Sequence, residues 1–187
     1  MIYLDHNATT PVAAEVVQAI VDALTGAWGN PSSGHDAGRR ARAVVERARE
    51  EVASLLCSAA DSIVFTGGGT EADHLAVLGV AEALEAKGRH IVSSAIEHPA
   101  IVAPLARLER RGWTVSRVAP APDGAVRAED VIAAFRDDTT LVTVMHANNE
   151  TGAIQPVAAI ARAARARGIV VHTDAAQSVG KVPLDVD

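Results

Sequence analysis

The chain has 187 residues and a formal charge of −6, from 17 Lys+Arg against 23 Asp+Glu, a mild acidity that argues against general nucleic-acid binding. No stretch approaches the ~20 apolar residues of a membrane span, and Met1-Ile-Tyr-Leu-Asp5 does not read as a signal peptide. The 3% aromatic content leaves Ala, Val, Leu and Ile to fill the core, and one cysteine, Cys57, excludes an internal disulfide framework and a CxxC zinc cluster, so a cytoplasmic protein with no metal site is expected.

Thr10-Pro11 is expected to open the first helix, with the hydroxyl as cap and proline at the first helical position. Val16, Ile20, Ala23, Leu24 and Ala27 follow at helical spacing. Trp28-Gly-Asn-Pro-Ser-Ser-Gly34 breaks the pattern and reads as an ordered loop. A second helix is expected from Asp36 to Leu56, with Arg39, Arg40, Arg42, Glu46, Arg47 and Glu50 on a solvated face. Strands are then expected at Ser62–Phe65, His90–Ser94, Trp113–Val118, Thr140–Met145 and Ile169–His172. Between them fall helices at Glu71–Lys87, Pro99–Arg110, Ala128–Phe135 and Pro156–Arg167. This alternation predicts an α/β fold: a doubly wound, mostly parallel sheet with flanking helices.

The polar clusters fall after strands, at the sheet edge where such folds bind ligands. Phe65-Thr66-Gly67-Gly68-Gly69-Thr70-Glu71 leads into a helix whose amino-terminal N–H groups and dipole suit a phosphate. Its glycines let a ligand approach the main chain, and Thr70 can cap the helix or donate to a phosphate oxygen. By itself the segment reads equally as a plain glycine-rich turn. It has neither the Lys-Ser/Thr of a Walker loop nor the spacing of a dinucleotide fingerprint.

Asp174 closes the run Gly168-Ile-Val-Val-His172-Thr. A carboxylate there can pair with a protonated pyridine nitrogen, an interaction of roughly 4 kcal/mol before desolvation at ~4 Å and an effective dielectric of ~20. It could as well cap the following turn. His98, in Glu97-His98-Pro99-Ala100, can lie on an aromatic cofactor and move protons, although alone it reads more readily as a satisfied loop residue. Asn148 and Asn149 in Met145-His-Ala-Asn-Asn-Glu150-Thr-Gly152 add amide donors at the same edge, or simply close a turn.

Taken together, the chain resembles the amino-terminal half of the cysteine desulfurases, pyridoxal-phosphate enzymes of fold type I in the class V aminotransferase group. The resemblance runs through Tyr3-Leu-Asp-His-Asn-Ala-Thr-Thr10, Gly29-Asn-Pro-Ser-Ser33 with His35, Phe65–Glu71, Glu97-His98, His146–Glu150 with Gly152, and His172-Thr-Asp-Ala-Ala-Gln-Ser-Val-Gly-Lys181. It implies that Gly69 and Thr70 bind the cofactor phosphate and that His98 stacks on the pyridine ring and transfers protons. It further implies that Asp174 pairs with the ring nitrogen, that Gln177 hydrogen-bonds the phenolic oxygen, and that Asn149 lies near that oxygen. The family usually has Ser or Thr, Gly and Ala at Gly67, Gly68 and Gly69, and often Asn at Asp73 and His74.

The resemblance also implies a division into residues 1–14, an amino-terminal segment of the small domain, and 15–187, the amino-terminal part of the large cofactor-binding domain. The Schiff-base lysine, the nucleophilic cysteine and a carboxylate-binding arginine are expected in a carboxyl-terminal half or a complementing chain. Lys181 matches a family position other than the Schiff-base lysine, and Cys57 reads as a packing residue. The implied complete enzyme is a homodimer that converts L-cysteine to L-alanine. It holds the sulfur as a persulfide and passes it to an acceptor or scaffold protein for iron–sulfur cluster or thiocofactor synthesis. The chain alone is expected to be inactive. The alternatives are a truncated non-catalytic module, or a selenocysteine lyase or other class V relative.

Overall fold

The computed structural model describes residues 2–186, in two compact units: residues 2–65 with 182–186, and residues 66–181.

In the first unit, α1 spans Ala14–Gly26 and α2 spans Asp36–Leu55, followed by a 3-10 turn at Ala60–Ser62. Helix α1 begins three residues after Pro11, with Ala13 in the cap position and no side-chain cap, so Thr10-Pro11 precedes the helix instead of opening it. None of its residues is buried, and Leu24 is 71% exposed. Helix α2 is capped by His35, whose Nδ1 accepts the Gly38 N–H at 3.3 Å. Gly38 permits the preceding loop to lie on the helix, since a Cβ there would stand 2.3 Å from the Ser33 carbonyl oxygen.

The expected strand at Ser62–Phe65 does not form. Ser62 closes the 3-10 turn, Ile63 is extended, and residues 63–65 pair with no strand among the described residues, with Val64 and Phe65 exposed. Extended backbone becomes sheet only when its N–H and C=O groups find a ladder partner. Here Arg49 instead donates to the Ile63 carbonyl and lies over the Phe65 ring, 5.1 Å from its centroid.

The second unit holds a four-stranded, wholly parallel sheet in the order β2-β1-β3-β4. Its strands are β1 His90–Ser94, β2 Thr114–Val118, β3 Thr139–Thr143 and β4 Val170–His172. Helix α3, Gly69–Leu84, precedes the sheet; α4 (Pro99–Glu109), α5 (Ala128–Ala133) and α6 (Val157–Ala166) are its crossovers. The fold is therefore α/β and doubly wound, with helices on both faces.

Alternation along the central strands builds two cores. Ile91 and Leu141 point to one face, against Val77 and Ala81 of α3 and Ile101, Leu105 and Leu108 of α4. Val92 and Val142 point to the other, against Val131 of α5 and Ile160 and Ala164 of α6. Both β1 and β3 are buried at every residue, which is why they read as continuous runs. The chain leaves β1 by α4 on one face and β3 by α6 on the other. A right-handed crossover on each side requires this reversal, and it opens a crevice between the carboxyl ends of β1 and β3. No helix among the described residues is long and apolar enough to cross a membrane.

Candidate functional site

The loops after β1, β3 and β4 meet at this carboxyl edge, and their own polar groups hold them there. The His146 N–H donates to the Asp174 carbonyl at 2.8 Å, and His146 Nδ1 lies 2.8 Å from Ser178 Oγ. Thr173 Oγ1 donates to the Val144 carbonyl at 2.8 Å. These contacts join the loop after β3 to the turn after β4. Asn148 joins the β3 loop to the β1 loop, its Nδ2 donating to the Ile96 carbonyl at 3.2 Å. Its Oδ1 accepts the N–H groups of Glu150 at 3.0 Å and Thr151 at 2.9 Å, which curls the loop back on itself. Gly152, at φ +74°, completes that turn in a conformation few other residues adopt.

The glycine-rich segment enters α3 with Gly68 in the cap position, so Gly69 and Thr70 are the first two helical residues. Thr70 is thus not the cap, and its hydroxyl is free of that task. The first N–H groups of a helix have no intrahelical acceptor. One amide just outside the helix, Gly67 N–H, is taken by Glu71 Oε2 at 2.6 Å, a carboxylate reaching back from the first turn. A Cβ added at Gly69 would stand 3.9 Å from the Ala176 Cβ, so this helix start lies against the turn that carries Asp174 and Gln177. A Cβ at Gly68 would meet open space.

Asp174 Oδ1 accepts the Ala176 N–H at 2.9 Å, and the residue remains partly exposed. Gln177 Oε1 lies 3.4 Å from Lys181 Nζ. His98 caps α4, its Nδ1 accepting the Ala100 N–H at 3.1 Å, which leaves Nε2 to carry the proton of the neutral ring. His98 and Asn149 line one cleft of about 520 Å³ with Glu97, Asn148, Glu150 and Thr151. Two sets are therefore brought together directly: Gly69 with the Asp174–Gln177 turn, and His98 with Asn149. The hydrogen-bonded loops link the two sets along one edge.

Three residues that sequence reading named without giving them a role organise this edge. Glu97 Oε1 accepts the Ser94 hydroxyl and the Met145 N–H, the latter at 2.9 Å. Burial pushes its carboxyl up to about 7, against the lesser opposing pull of those two hydrogen bonds. His172 lies with Nδ1 2.9 Å from Thr143 Oγ1 and Nε2 3.5 Å from Oδ1 of Asp73, which is buried in α3. The signal available was position: Glu97 and His172 end or closely follow apolar strands, and Asp73 sits on the inward face of a helix. No group of three or more His, Cys, Asp or Glu among the described residues is placed to hold a metal ion.

Comparison with known proteins gives a consistent pattern. Residues 2–187 match the family described as Aminotransferase class-V. A protein of Anaeromyxobacter sp. (strain K) named cysteine desulfurase IscS is 48% identical over 187 residues, covering 100% of this chain and 46% of that protein. A solved structure described as a NifS-like protein superposes with a TM-score of 0.95 at 36% identity, covering 99% of this chain and 51% of that one. Another, described as SspA in complex with cysteine, gives 0.94 at 36% identity, covering 99% and 53%. The chain spans about half the length of the relatives it matches.

Proposed function

The chain belongs to the class-V aminotransferase family, and on that premise we propose that it is the amino-terminal half of a pyridoxal-phosphate-dependent cysteine desulfurase. The observation that carries the reading is the abutment of the α3 amino terminus at Gly69 on the turn that bears Asp174. It brings an anion-binding helix end and a carboxylate to one edge, as a phosphorylated pyridine requires.

The residues present fit that group. The open space at Gly68 and the exposed first turn of α3 leave room for a phosphate, which Gly69 N–H, Thr70 N–H and the Thr70 hydroxyl would bind. Asp174 keeps a carboxylate open at the strand end for the ring nitrogen, and Gln177 offers its amide to the phenolic oxygen. His98, held by the Ala100 amide, would cover the ring and move a proton at Nε2. Asn149, beside it in the cleft, orients the substrate. When bound, pyridoxal phosphate supplies an electron sink.

The substrate in this reading is L-cysteine and the products are L-alanine and protein-bound persulfide sulfur, passed to an acceptor or scaffold for iron–sulfur or thiocofactor synthesis. The names of the relatives and the neighbour solved with cysteine support it. The complete protein is a cytoplasmic homodimer in this proposal, with residues 1–14 in its small domain and 15–187 in its large one. The Schiff-base lysine belongs to the other half. Lys87 donates to the Gly168 carbonyl at 2.7 Å, before β1 and β4 and so at the far end of the strands, while Lys181 is engaged by Gln177. The nucleophilic cysteine is also assigned there, and this half alone gives no turnover.

The test is product stoichiometry in the complete polypeptide reconstituted with pyridoxal phosphate. One alanine per cysteine consumed, with sulfide released by added thiol, supports the proposal. Pyruvate and ammonia in place of alanine would contradict it.

A further inference from the structure

Glu97 carries a buried carboxyl group that the cofactor reading leaves without a task. It follows β1 by three residues, and its Oε1 receives hydrogen bonds from both sides of the crevice. The Ser94 hydroxyl comes from its own strand, and the Met145 N–H, at 2.9 Å, from the loop after β3. Its Oε2 is buried and has no hydrogen-bond partner. The charged groups that act on it come from the segment around the end of β4: the His172 imidazole favours the anion and the Asp174 carboxylate opposes it. Behind His172 stands Asp73 of α3.

We infer that Glu97 is a positioning residue that locks the loop after β1 to the loop after β3 and so sets His98 and Asn149 relative to Asp174. An unpartnered, buried Oε2 makes the anion costly, and protonation relieves it while leaving Oε1 as the acceptor of both hydrogen bonds. Glu97 therefore holds a proton to about pH 7. The inference rests on the proposed function only for the identity of the ligand; the lock is a property of this chain.

The test is amide NMR on the complete polypeptide without cofactor, in the wild type, Glu97→Gln and Glu97→Ala. In the wild type the Met145 amide resonance is expected to move with a midpoint near 7. In Glu97→Gln, which keeps an acceptor but cannot ionise, that movement disappears while the His98 and Asn149 resonances stay in place. In Glu97→Ala, Met145 amide exchange accelerates about tenfold, as for one lost hydrogen bond, and the His98 and Asn149 resonances shift. A Met145 resonance that does not titrate in the wild type, or that titrates equally in Glu97→Gln, would overturn the inference, and both observations remain available if Glu97→Ala fails to fold. Failure of the complete protein to bind pyridoxal phosphate would count against the proposed function and leave the Met145 result standing.

Discussion

The Met145 N–H donates to Glu97 Oε1 at 2.9 Å, bridging the two central strands at the point where their connections depart to opposite faces. The carboxyl that makes this bridge is held near 7, above its ordinary 4.5. Between those values the folded chain binds a proton that the unfolded chain has released. Stability from this group is therefore full below about pH 4.5 and is lost as pH rises to about 7, by up to about 3 kcal/mol. Urea unfolding across this range should show the fall in the wild type and a flatter profile in Glu97→Gln.

His90 works in the opposite sense. It is fully buried at the start of β1, with Nδ1 2.7 Å from Thr139 Oγ1 and Nε2 2.9 Å from Ser116 Oγ. Burial, aided by Arg136 and opposed by Asp138, lowers its pKa below the ordinary 6.5. Its contribution is present above 6.5 and is lost as pH falls through its lower folded value. His90→Leu should cost about 1–3 kcal/mol near neutral pH through its lost hydrogen bonds to Thr139 and Ser116, and should remove this acid-side loss. Denaturant midpoints at two pH values separate the effects.

Two glycines should respond oppositely to the same substitution. A Cβ at Gly88 would lie 2.2 Å from the Asp138 carbonyl oxygen, which also accepts the His90 N–H at 3.2 Å. Gly88→Ala should force β1 away from the start of β3 and destabilise the chain by about 2 kcal/mol or more. Gly79, exposed within α3, has nothing within 4 Å of a built Cβ. Gly79→Ala should stabilise by about 0.5–1 kcal/mol, read by thermal unfolding.

Four of the five expected strands form; the central two were legible because burial on both faces demands unbroken apolar runs, as in Ile91-Val92 and Leu141-Val142, whereas β2 and β4 are only partly buried. Val64-Phe65 shows the same local pattern, yet a strand also needs a partner, which no local pattern specifies. Sequence placed Gly69, Thr70, His98, Asn149, Asp174 and Gln177 on one edge, and the structure brings their loops there. It could not show that Glu71 reaches back to the Gly67 N–H, that His98 caps α4, or that the Glu97 carboxyl is buried against Met145. Those contacts depend on how separate loops meet. Glu97 reads as an ordinary polar loop residue until its burial is seen.

Asp174 should be dispensable for folding and costly for function. Its carbonyl oxygen, not its side chain, accepts the His146 N–H, and only the contact from Ala176 N–H depends on the carboxylate. Asp174→Ala in the complete protein should keep its unfolding midpoint within about 1 kcal/mol of wild type. Its turnover of L-cysteine should fall by about a thousandfold, the kinetic equivalent of ~4 kcal/mol.

In the proposed function Asp174 stands opposite the ring nitrogen of pyridoxal phosphate at this sheet edge. Nitrogen-15 NMR of the complete protein, loaded with cofactor labelled at the ring nitrogen, reads that pairing directly. A protonated pyridinium signal is expected in the wild type and a neutral pyridine signal in Asp174→Ala. The same signal in both proteins would contradict that pairing.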